Sequence, residues 1–197
     1  MMAKLKILVK GYAREERGKE FASSTATLIQ DSGLNIIVDP GMDRKSLLTA
    51  LKEEGLSTSD INFVILTHYH LDHSLLAGIF ENAKILDSTE IYSWDGKIES
   101  HKGKVPGTKI KLIKTPGHDP FHCSVIVNTK EYGRVAIVGD VFWWADEEEQ
   151  KTDEKSLMEH EDPYVKNEKQ LEESRKRVLE IADYIIPGHG KIFRVGK

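Results

Sequence analysis

The stretch that decides the fold is "INFVILTHYHLDH", residues 61–73. It begins with an apolar run of strand length, which is typical of a strand buried on both faces. Three histidines and an aspartate follow it directly: His68, His70, Asp72 and His73. In an extended loop His68 and His70 share one side, and Asp72 and His73 lie at the start of a predicted helix. We therefore expect a group of metal ligands at the carboxyl end of a buried strand, where α/β folds gather ligand sites.

Three further turns place a ligand-type side chain directly after a predicted strand. They are "TPGHD" with His118, "VGD" with Asp140 and "PGHG" with His189. Taken alone, the first tract would also fit a set of surface histidines. Four strand-end loops that converge on one cleft favour a dinuclear metal site instead. Imidazole and carboxylate ligands together suit zinc, iron or manganese better than calcium or magnesium.

The rest of the chain predicts a layered architecture. Helices are indicated from a cap at Asp43 to Gly55 and over residues 167–183, where Glu172 and Lys176 have the spacing of an ion pair. Further strands are predicted at 6–11, on both sides of the turn at 31–33, and at 109–114, 123–129, 134–139 and 184–190. Strands mixed with helices on both flanks argue for an α/β protein, and the length fits one domain over residues 1–197.

Composition narrows the function classes. The net charge of −4 gives no global basic signal for non-specific binding of nucleic acid, although a local basic patch is compatible with it. Cys123 is the only cysteine, so we expect no disulfide framework and no cysteine-based zinc site, which suits a reducing, cytoplasmic setting. No run of 18 apolar residues is present, so we expect no membrane span.

The motifs T-H-x-H-x-D-H, T-P-G-H, G-D and P-G-H-G, in that order, resemble those of the metallo-β-lactamase fold superfamily. The resemblance covers nearly the whole chain. It implies an α/β (α+β) fold, a four-layer αββα sandwich with two metal ions at one edge. It also implies seven ligands: His68, His70 and His118 at the first metal, Asp72, His73 and His189 at the second, and Asp140 bridging both. The superfamily pattern leaves His122 outside the ligand set.

The resemblance implies a metal-dependent hydrolase with two divalent ions, most simply Zn²⁺, with iron or manganese as alternatives. Two such ions lower the pKa of a bridging water from 15.7 toward roughly 7. We expect the resulting hydroxide to attack a small-molecule ester, thioester or lactone, with Asp72 and Asp140 as the catalytic carboxylates. One alternative is a phosphodiesterase or endoribonuclease that uses the same metals. A second alternative is a metal-binding scaffold without catalysis.

The segments "GDVFWW" and "SRKRVLEIADYIIPGHG" are similar to a compact, single-domain group that contains metallo-β-lactamase domain-containing protein 1. The animal protein of that group is associated with cleavage of histone precursor RNA, so RNA is an alternative partner to a small molecule. Residues 141–188 are too few for the large inserted domain of superfamily nucleases that process messenger RNA. We also expect neither the helical domain of hydroxyacylglutathione hydrolases nor a flavin domain.

Two segments are candidates for substrate binding. Residues 11–21, between the first two strands, would form a mobile flap in which Arg14 meets an anionic substrate, or a solvated loop. Phe142, Trp143 and Trp144 follow Asp140 closely. They would either wall the pocket and stack on a base or pack in the core under a helix.

Overall fold

The computed structural model describes residues 2–196. In chain order the strands are β1 Lys4–Val9, β2 Tyr12–Glu16, β3 Lys19–Ser23, β4 Ala26–Asp31, β5 Leu34–Val38, β6 Phe63–Ile65, β7 Lys84–Leu86, β8 Glu90–Tyr92, β9 Ile98–Ser100, β10 Lys111–Lys114, β11 Cys123–Thr129, β12 Gly133–Ile137, β13 Tyr184–Ile186 and β14 Phe193–Arg194. The α-helices are α1 Arg44–Glu53, α2 Leu71–Ser74, α3 Glu154–Glu159 and α4 Glu168–Ile181.

The strands form two large sheets and one hairpin. The first sheet has the order β1-β4-β5-β6-β7-β8-β9, and the second has the order β10-β11-β12-β13-β14. Strands β5, β6 and β7 run parallel, as do β12 and β13. Within the described part of the chain, strands β2 and β3 pair only with each other. Since the carboxyl ends of parallel neighbours meet at one edge of a sheet, the loops after these strands are brought together.

The alternation of side chains along each strand separates the layers. In β5, Ile36 and Val38 belong to the core between the two sheets. Ile37 points the other way and packs with Leu47 and Leu51 of α1. The first sheet is therefore apolar on both faces, with a helix over its outer one.

The second sheet repeats this arrangement. Val135 and Ile137 of β12 enter the core between the sheets. Ala136, which lies between them, packs on the outer face with Leu171 and Val178 of α4. The order of layers is helix, sheet, sheet, helix, and the predicted αββα sandwich is confirmed.

The predicted helices begin where their capping residues stand. The Asp43 carboxylate accepts a hydrogen bond from the Ser46 amide at 3.0 Å and begins α1. Asn167 accepts one from Gln170 in the same way at the start of α4. These side chains satisfy amide groups that a helix leaves unpaired at its start.

Several elements differ from the sequence-based expectation. Residues 11–21, expected as a mobile flap or a solvated loop, mostly form the regular β2–β3 hairpin. The buried strand within 61–66 is reduced to the three residues of β6, and the helix after His70 is the short α2. Within residues 2–196, no helix has the length and apolarity needed to cross a bilayer.

Candidate metal centre

The seven predicted ligands come from four separate loops and meet at one edge of the sandwich. His68 lies just after β6, His70 is the capping residue before α2, and Asp72 and His73 belong to α2. The other loops lie between β10 and β11, after β12 and after β13. These three loops contribute His118, Asp140 and His189. Residues far apart in sequence are therefore gathered by sheet topology.

The ligand atoms fall into two groups, and within each group they lie within 4.8 Å of one another. The first group is His68, His70, His118 and Asp140, and the second is Asp72, His73 and His189. This division matches the two ligand sets that the motifs imply.

Asp140 stands between the two groups and turns one carboxylate oxygen toward each. Its Oδ2 lies 3.4 Å from Nε2 of His118 and 3.7 Å from Nε2 of His68. Its Oδ1 lies 3.1 Å from Nε2 of His73 and 3.8 Å from Nε2 of His189. This is the geometry that a carboxylate shared by two ions requires.

Asp72 is the carboxylate of the second group. Its Oδ2 lies 3.1 Å from Nε2 of His189 and 3.9 Å from Nε2 of His73. Its side chain is 21% exposed, whereas that of Asp140 is 6% exposed. Asp72 therefore faces the cleft above the group.

Two carboxylates behind the cluster fix the orientation of two histidines. Nδ1 of His73 lies 2.9 Å from Oδ2 of Asp39, and Nδ1 of His118 lies 2.7 Å from Oδ2 of Asp162. Both carboxylates are buried. Partners of this kind hold the ring of a metal-binding histidine and leave its other nitrogen for the ion.

Two further rings are held by neutral groups. His189 Nδ1 lies 3.0 Å from the Tyr12 carbonyl oxygen. His68 Nδ1 lies 3.0 Å from the Thr67 hydroxyl, which itself donates to Asp39 Oδ2 at 2.7 Å. Asp39 thus supports both His73 and, through Thr67, His68.

Burial and charge set the protonation of the centre. Burial alone would raise the pKa of Asp140, but the imidazoles of His73 and His189 outweigh it and hold that pKa well below its usual range. Burial also lowers the pKa of His68 well below the ordinary histidine value, and nearby His73 adds to the effect. An ionised carboxylate and a neutral imidazole are the states that metal binding requires. Burial alone would lower the pKa of His73, but the carboxylates of Asp140 and Asp39 outweigh it and hold that pKa well above the ordinary histidine value, so His73 must lose a proton when an ion binds.

The unsatisfied atoms of the cluster indicate that it fits a metal. Among the residues described, Nε2 of His68 is buried and has no hydrogen-bond partner, and Nε2 of His73 and Oδ1 of Asp140, although 3.1 Å apart, are not aligned for a hydrogen bond with each other or with another group. Buried polar atoms are nearly always paired, so such atoms need an explanation. All three point toward the other ligand atoms, and the set is the nitrogen and oxygen donor type that zinc, iron and manganese accept. The residues present fit two divalent ions.

Glycine is required where the loops approach most closely. A Cβ at Gly188 would clash with Oδ1 of Asp140, and a Cβ at Gly139 would clash with the Thr67 hydroxyl. Gly139 also has a φ of 47°, which favours glycine. Glycine at these two positions therefore lets the backbone of both loops come close to the centre.

A cleft of about 520 Å³ opens above the centre. The floor includes His70, Asp72, Asp140 and His189. The wall is formed by Ala13, Glu20, Ala22, Met42, Leu71, Trp143 and Tyr164. Most of the wall is apolar, and Glu20 is its charged member.

The structure places the candidate substrate-binding residues in different surroundings. Trp143 lines the cleft. Phe142 and Trp144 are buried in the core under α4, at 0% and 3% exposure, so of the two alternatives for these residues the structure shows core packing and not a position in the cleft. Arg14 is absent from the cleft wall, and its guanidinium pairs with Glu16 at 2.6 Å.

His122 lies beside the centre without joining either ligand group. Its ring stacks on His68 with centroids 5.0 Å apart, and its Nδ1 lies 3.0 Å from the Thr115 hydroxyl. Burial lowers the pKa of His122 to about 3. A neutral ring that packs behind a ligand agrees with its exclusion from the predicted set.

Sequence reasoning missed Asp39, Asp162 and Tyr164. Asp39 follows β5 directly in "VDPG", so the sequence itself shows an acidic residue at a strand end, the pattern that marks Asp140. Asp162 and Tyr164 lie in a polar stretch between α3 and α4 where no periodicity marks them. Only the fold brings them to the centre.

Comparisons with known proteins show which family the chain resembles. A family model described as the metallo-beta-lactamase superfamily matches residues 20–94. A Xenopus laevis protein named metallo-beta-lactamase domain-containing protein 1 is 36% identical over 97% of this chain and 81% of its own length. The human protein of that name is 37% identical, and the match spans 59% of its length.

Two further relatives extend the comparison. A protein named N-acyl homoserine lactonase from Bacillus cereus is 30% identical over 48% of this chain and 44% of its own length. A Thermotoga maritima protein, described with the metallo-beta-lactamases, has a solved structure that superposes with a TM-score of 0.74. It is 24% identical, and the match covers 98% of this chain and all of that one.

Proposed function

Because the chain belongs to the metallo-β-lactamase superfamily and is a metal-dependent hydrolase, we propose that it binds two divalent ions and cleaves a small neutral ester, thioester or lactone. Zinc is the proposed metal, and iron and manganese, which accept the same imidazole and carboxylate donors, are the alternatives. The proposed ligands are the seven residues of the two groups, with Asp140 shared. The single observation that supports the dinuclear centre is the position of Asp140, whose two oxygens face different groups.

Two bound ions would supply Lewis acidity and bring the pKa of a water molecule to about 7. The chain provides the rest of the chemistry. Asp72 faces the cleft, and its pKa is lowered because the pairing with His189 outweighs burial, so it stays ionised near neutral pH. Because Oδ2 is the oxygen that faces the His189 and His73 nitrogens, an ionised carboxylate at that position would accept a proton from the attacking water on its other oxygen, Oδ1, and return it to the leaving group.

The cleft wall supports the choice of substrate. Among the residues described, neither lysine nor arginine lines the cleft, and its wall carries Ala13, Ala22, Met42, Leu71 and Trp143. A protein that grips a nucleic-acid backbone needs cationic side chains to neutralise phosphates. An apolar wall with few polar groups is typical of a small-molecule site. The proposal therefore favours a carbonyl substrate with an apolar substituent over RNA or another phosphodiester.

Elemental analysis of metal-replete protein tests the centre first. We expect about two transition-metal ions per chain, the stoichiometry of a two-metal site. Replacing Asp140 with Ala should reduce this count. Asp153→Asn is the matched control, because Asp153 is an exposed cap of α3 with no contact to the centre. A wild-type protein without bound metal after reconstitution would refute the proposed centre.

A parallel assay of the metal-loaded protein tests the reaction. The panel contains thioesters, aryl esters, lactones, a chromogenic β-lactam, bis(p-nitrophenyl) phosphate and single-stranded RNA. We expect turnover on members of the first three classes and a loss of at least about 100-fold in Asp140→Ala. Turnover confined to RNA or the phosphodiester, with the same dependence on Asp140, would replace this proposal by the nuclease alternative. Metal binding without turnover on any substrate would favour the scaffold alternative.

A cytoplasmic location is part of the proposal. Cys123 is a free, fully buried thiol, and burial raises its pKa. A single reduced cysteine suits a reducing compartment. Fractionation of cells that express the protein tests this, and recovery in a secreted fraction would contradict it.

A further inference from the structure

Asp162 contacts both the metal centre and the wall of the cleft. It is 8% exposed and lies in the segment between α3 and α4. Its Oδ2 lies 2.7 Å from Nδ1 of His118. Its Oδ1 accepts hydrogen bonds from the Trp143 indole N–H at 3.3 Å and from the Tyr164 amide at 3.0 Å. One carboxylate thus touches a proposed metal ligand with one oxygen and two wall residues with the other.

The wall residues held in this way pack against each other at the cleft. The rings of Trp143 and Tyr164 have centroids 5.8 Å apart and are inclined by 38°. Both line the cleft, and the Tyr164 ring also lies 6.5 Å from that of His118. A shift of Asp162 would therefore move a proposed ligand and the aromatic wall together.

Arg175 holds the segment that carries Asp162. It is 4% exposed on the inner face of α4. Its Nε donates to the Val141 carbonyl at 3.2 Å, and its Nη1 donates to the His160 carbonyl at 2.6 Å. Val141 follows Asp140 directly, and His160 precedes Asp162 by two positions. The buried guanidinium of Arg175 thereby connects the turn after β12 to the segment between α3 and α4 that carries Asp162.

We propose that Asp162 is a positioning residue that couples the orientation of His118 to that of the Trp143 wall. The proposal rests on the proposed function, because it takes His118 as a metal ligand. Loss of the Asp162 charge should weaken metal binding at the group of His118 by about 10- to 100-fold, the range for partners of metal-binding histidines. The group of Asp72, His73 and His189 does not contact Asp162 directly but is linked to it through Trp143, whose ring centroid lies 6.1 Å from that of His189, so its affinity should change less than that of the His118 group.

Stepwise titration with Co²⁺ tests the selectivity of this effect, because the visible absorption of the ion reports its ligands at each site. The proteins compared are wild type, Asp162→Asn and the control Asp153→Asn. Asp153 also lies between β12 and α4, but its side chain only caps α3. We expect two binding steps in wild type and control, with one step weakened in Asp162→Asn. Equal weakening of both steps would indicate a general structural effect and overturn the proposal.

A double-mutant cycle tests the coupling itself. Trp143→Phe keeps an aromatic wall but removes the indole N–H donor. If Asp162 links wall and ligand, the effects of Trp143→Phe and Asp162→Asn on Co²⁺ affinity and on KM should be non-additive. Strict additivity would refute the coupling. If Asp162→Asn folds poorly, the Co²⁺ spectrum and the KM of Trp143→Phe alone are compared with those of wild type. Wild-type protein that binds no Co²⁺ would contradict the proposed function as well, whereas normal binding in both variants would contradict the coupling alone.

Discussion

The side chain of Asp140 is tightly enclosed by its neighbours at the centre. It is buried, it approaches four imidazoles within 3.8 Å, and a glycine lies against it. The backbone amide of Gly188 donates to the carbonyl of Gly139, so the loops after β12 and β13 are in direct contact. The position of the carboxylate therefore depends on the absence of a side chain at residue 188.

Gly188→Ala should disable the centre without a change at any ligand. The added methyl group would occupy the position of Asp140 Oδ1, so the carboxylate must rotate or the loop must shift. We expect a loss of bound metal measured by elemental analysis, together with a destabilisation of about 1–3 kcal/mol from overpacking.

Gly78→Ala is the control for this substitution. A methyl group added at Gly78 would meet no atom within 4 Å, and the backbone there has no positive φ, so alanine should be tolerated. Normal metal content in Gly188→Ala would show that the loop yields without moving Asp140, and would contradict the steric argument.

Acid should release the metals. Imidazole and carboxylate bind ions only when deprotonated, so protons compete for every ligand. Protons compete first at His73, whose pKa lies well above the histidine reference value of about 6.5, and last at His68, whose pKa burial lowers well below it, so affinity should drop progressively as the pH falls through that value. Equilibrium dialysis over a pH series, followed by elemental analysis, measures the retained metal. Full retention at about pH 4.5 against a chelator, well below that reference value, would contradict this assignment of ligands.

The sequence predicts the seven ligand positions because each stands at a strand end within a short motif. It cannot predict Asp162, since that residue approaches His118 from a segment 44 positions away. It also cannot separate Trp143 from its neighbours. Three consecutive aromatic residues carry no periodicity, and only the turn after β12 decides that Phe142 and Trp144 enter the core.

At the scale of elements, strong apolar runs are predicted well and polar ones poorly. The main strands of the two sheets follow runs of β-branched and aliphatic residues, and their apolar pattern is enough to identify them. The β2–β3 hairpin consists mainly of polar and charged residues, so the sequence predicts only a flap there. Its one available signal is the turn at Arg17 and Gly18, whose φ values of 54° and 71° fit a two-residue hairpin turn.

Helix α1 depends on its cap, and Asp43→Ala should destabilise the protein by about 1 kcal/mol. Hydrogen bonds from the Ser46 amide and hydroxyl hold the pKa of Asp43 below its ordinary value of 3.8. A lowered carboxyl pKa stabilises the fold above the unfolded value and ceases to do so as the pH falls through the folded value. The advantage of wild type over Asp43→Ala should therefore be constant from about pH 7 to 5 and narrow below about 3.8.

Urea unfolding of chelator-treated proteins measures this difference, because metal loss then makes no contribution. Asp43→Asn is the control, since asparagine caps helices about as well but does not ionise. Its stability relative to Asp43→Ala should not vary with pH in this range. A wild-type advantage that persists unchanged to about pH 3 would contradict the role of the charge.

At the scale of the molecule, the centre joins the two halves of the sandwich. Four proposed ligands follow β6 of the first sheet, and three come from loops of the second. Asp140 of the second half faces His68 and His73 of the first. An ion held between them would bind the folded state and find no such site in the unfolded chain.

Removal of metal should therefore lower the thermal midpoint without loss of the fold. A ligand present at 100 times its Kd stabilises the folded state by about 2.7 kcal/mol per site. For a chain of this length that corresponds to roughly 5–10 °C per occupied site. Calorimetry with and without a chelator measures the shift, and a cooperative transition that remains after chelation, with an unchanged far-ultraviolet circular dichroism spectrum at about 25 °C, checks that the protein is still folded. Asp140→Ala should respond weakly to the same treatment, because its bridging carboxylate is gone. Equal midpoints for loaded and chelated wild type would mean that the ions, if bound, do not hold the two sheets together.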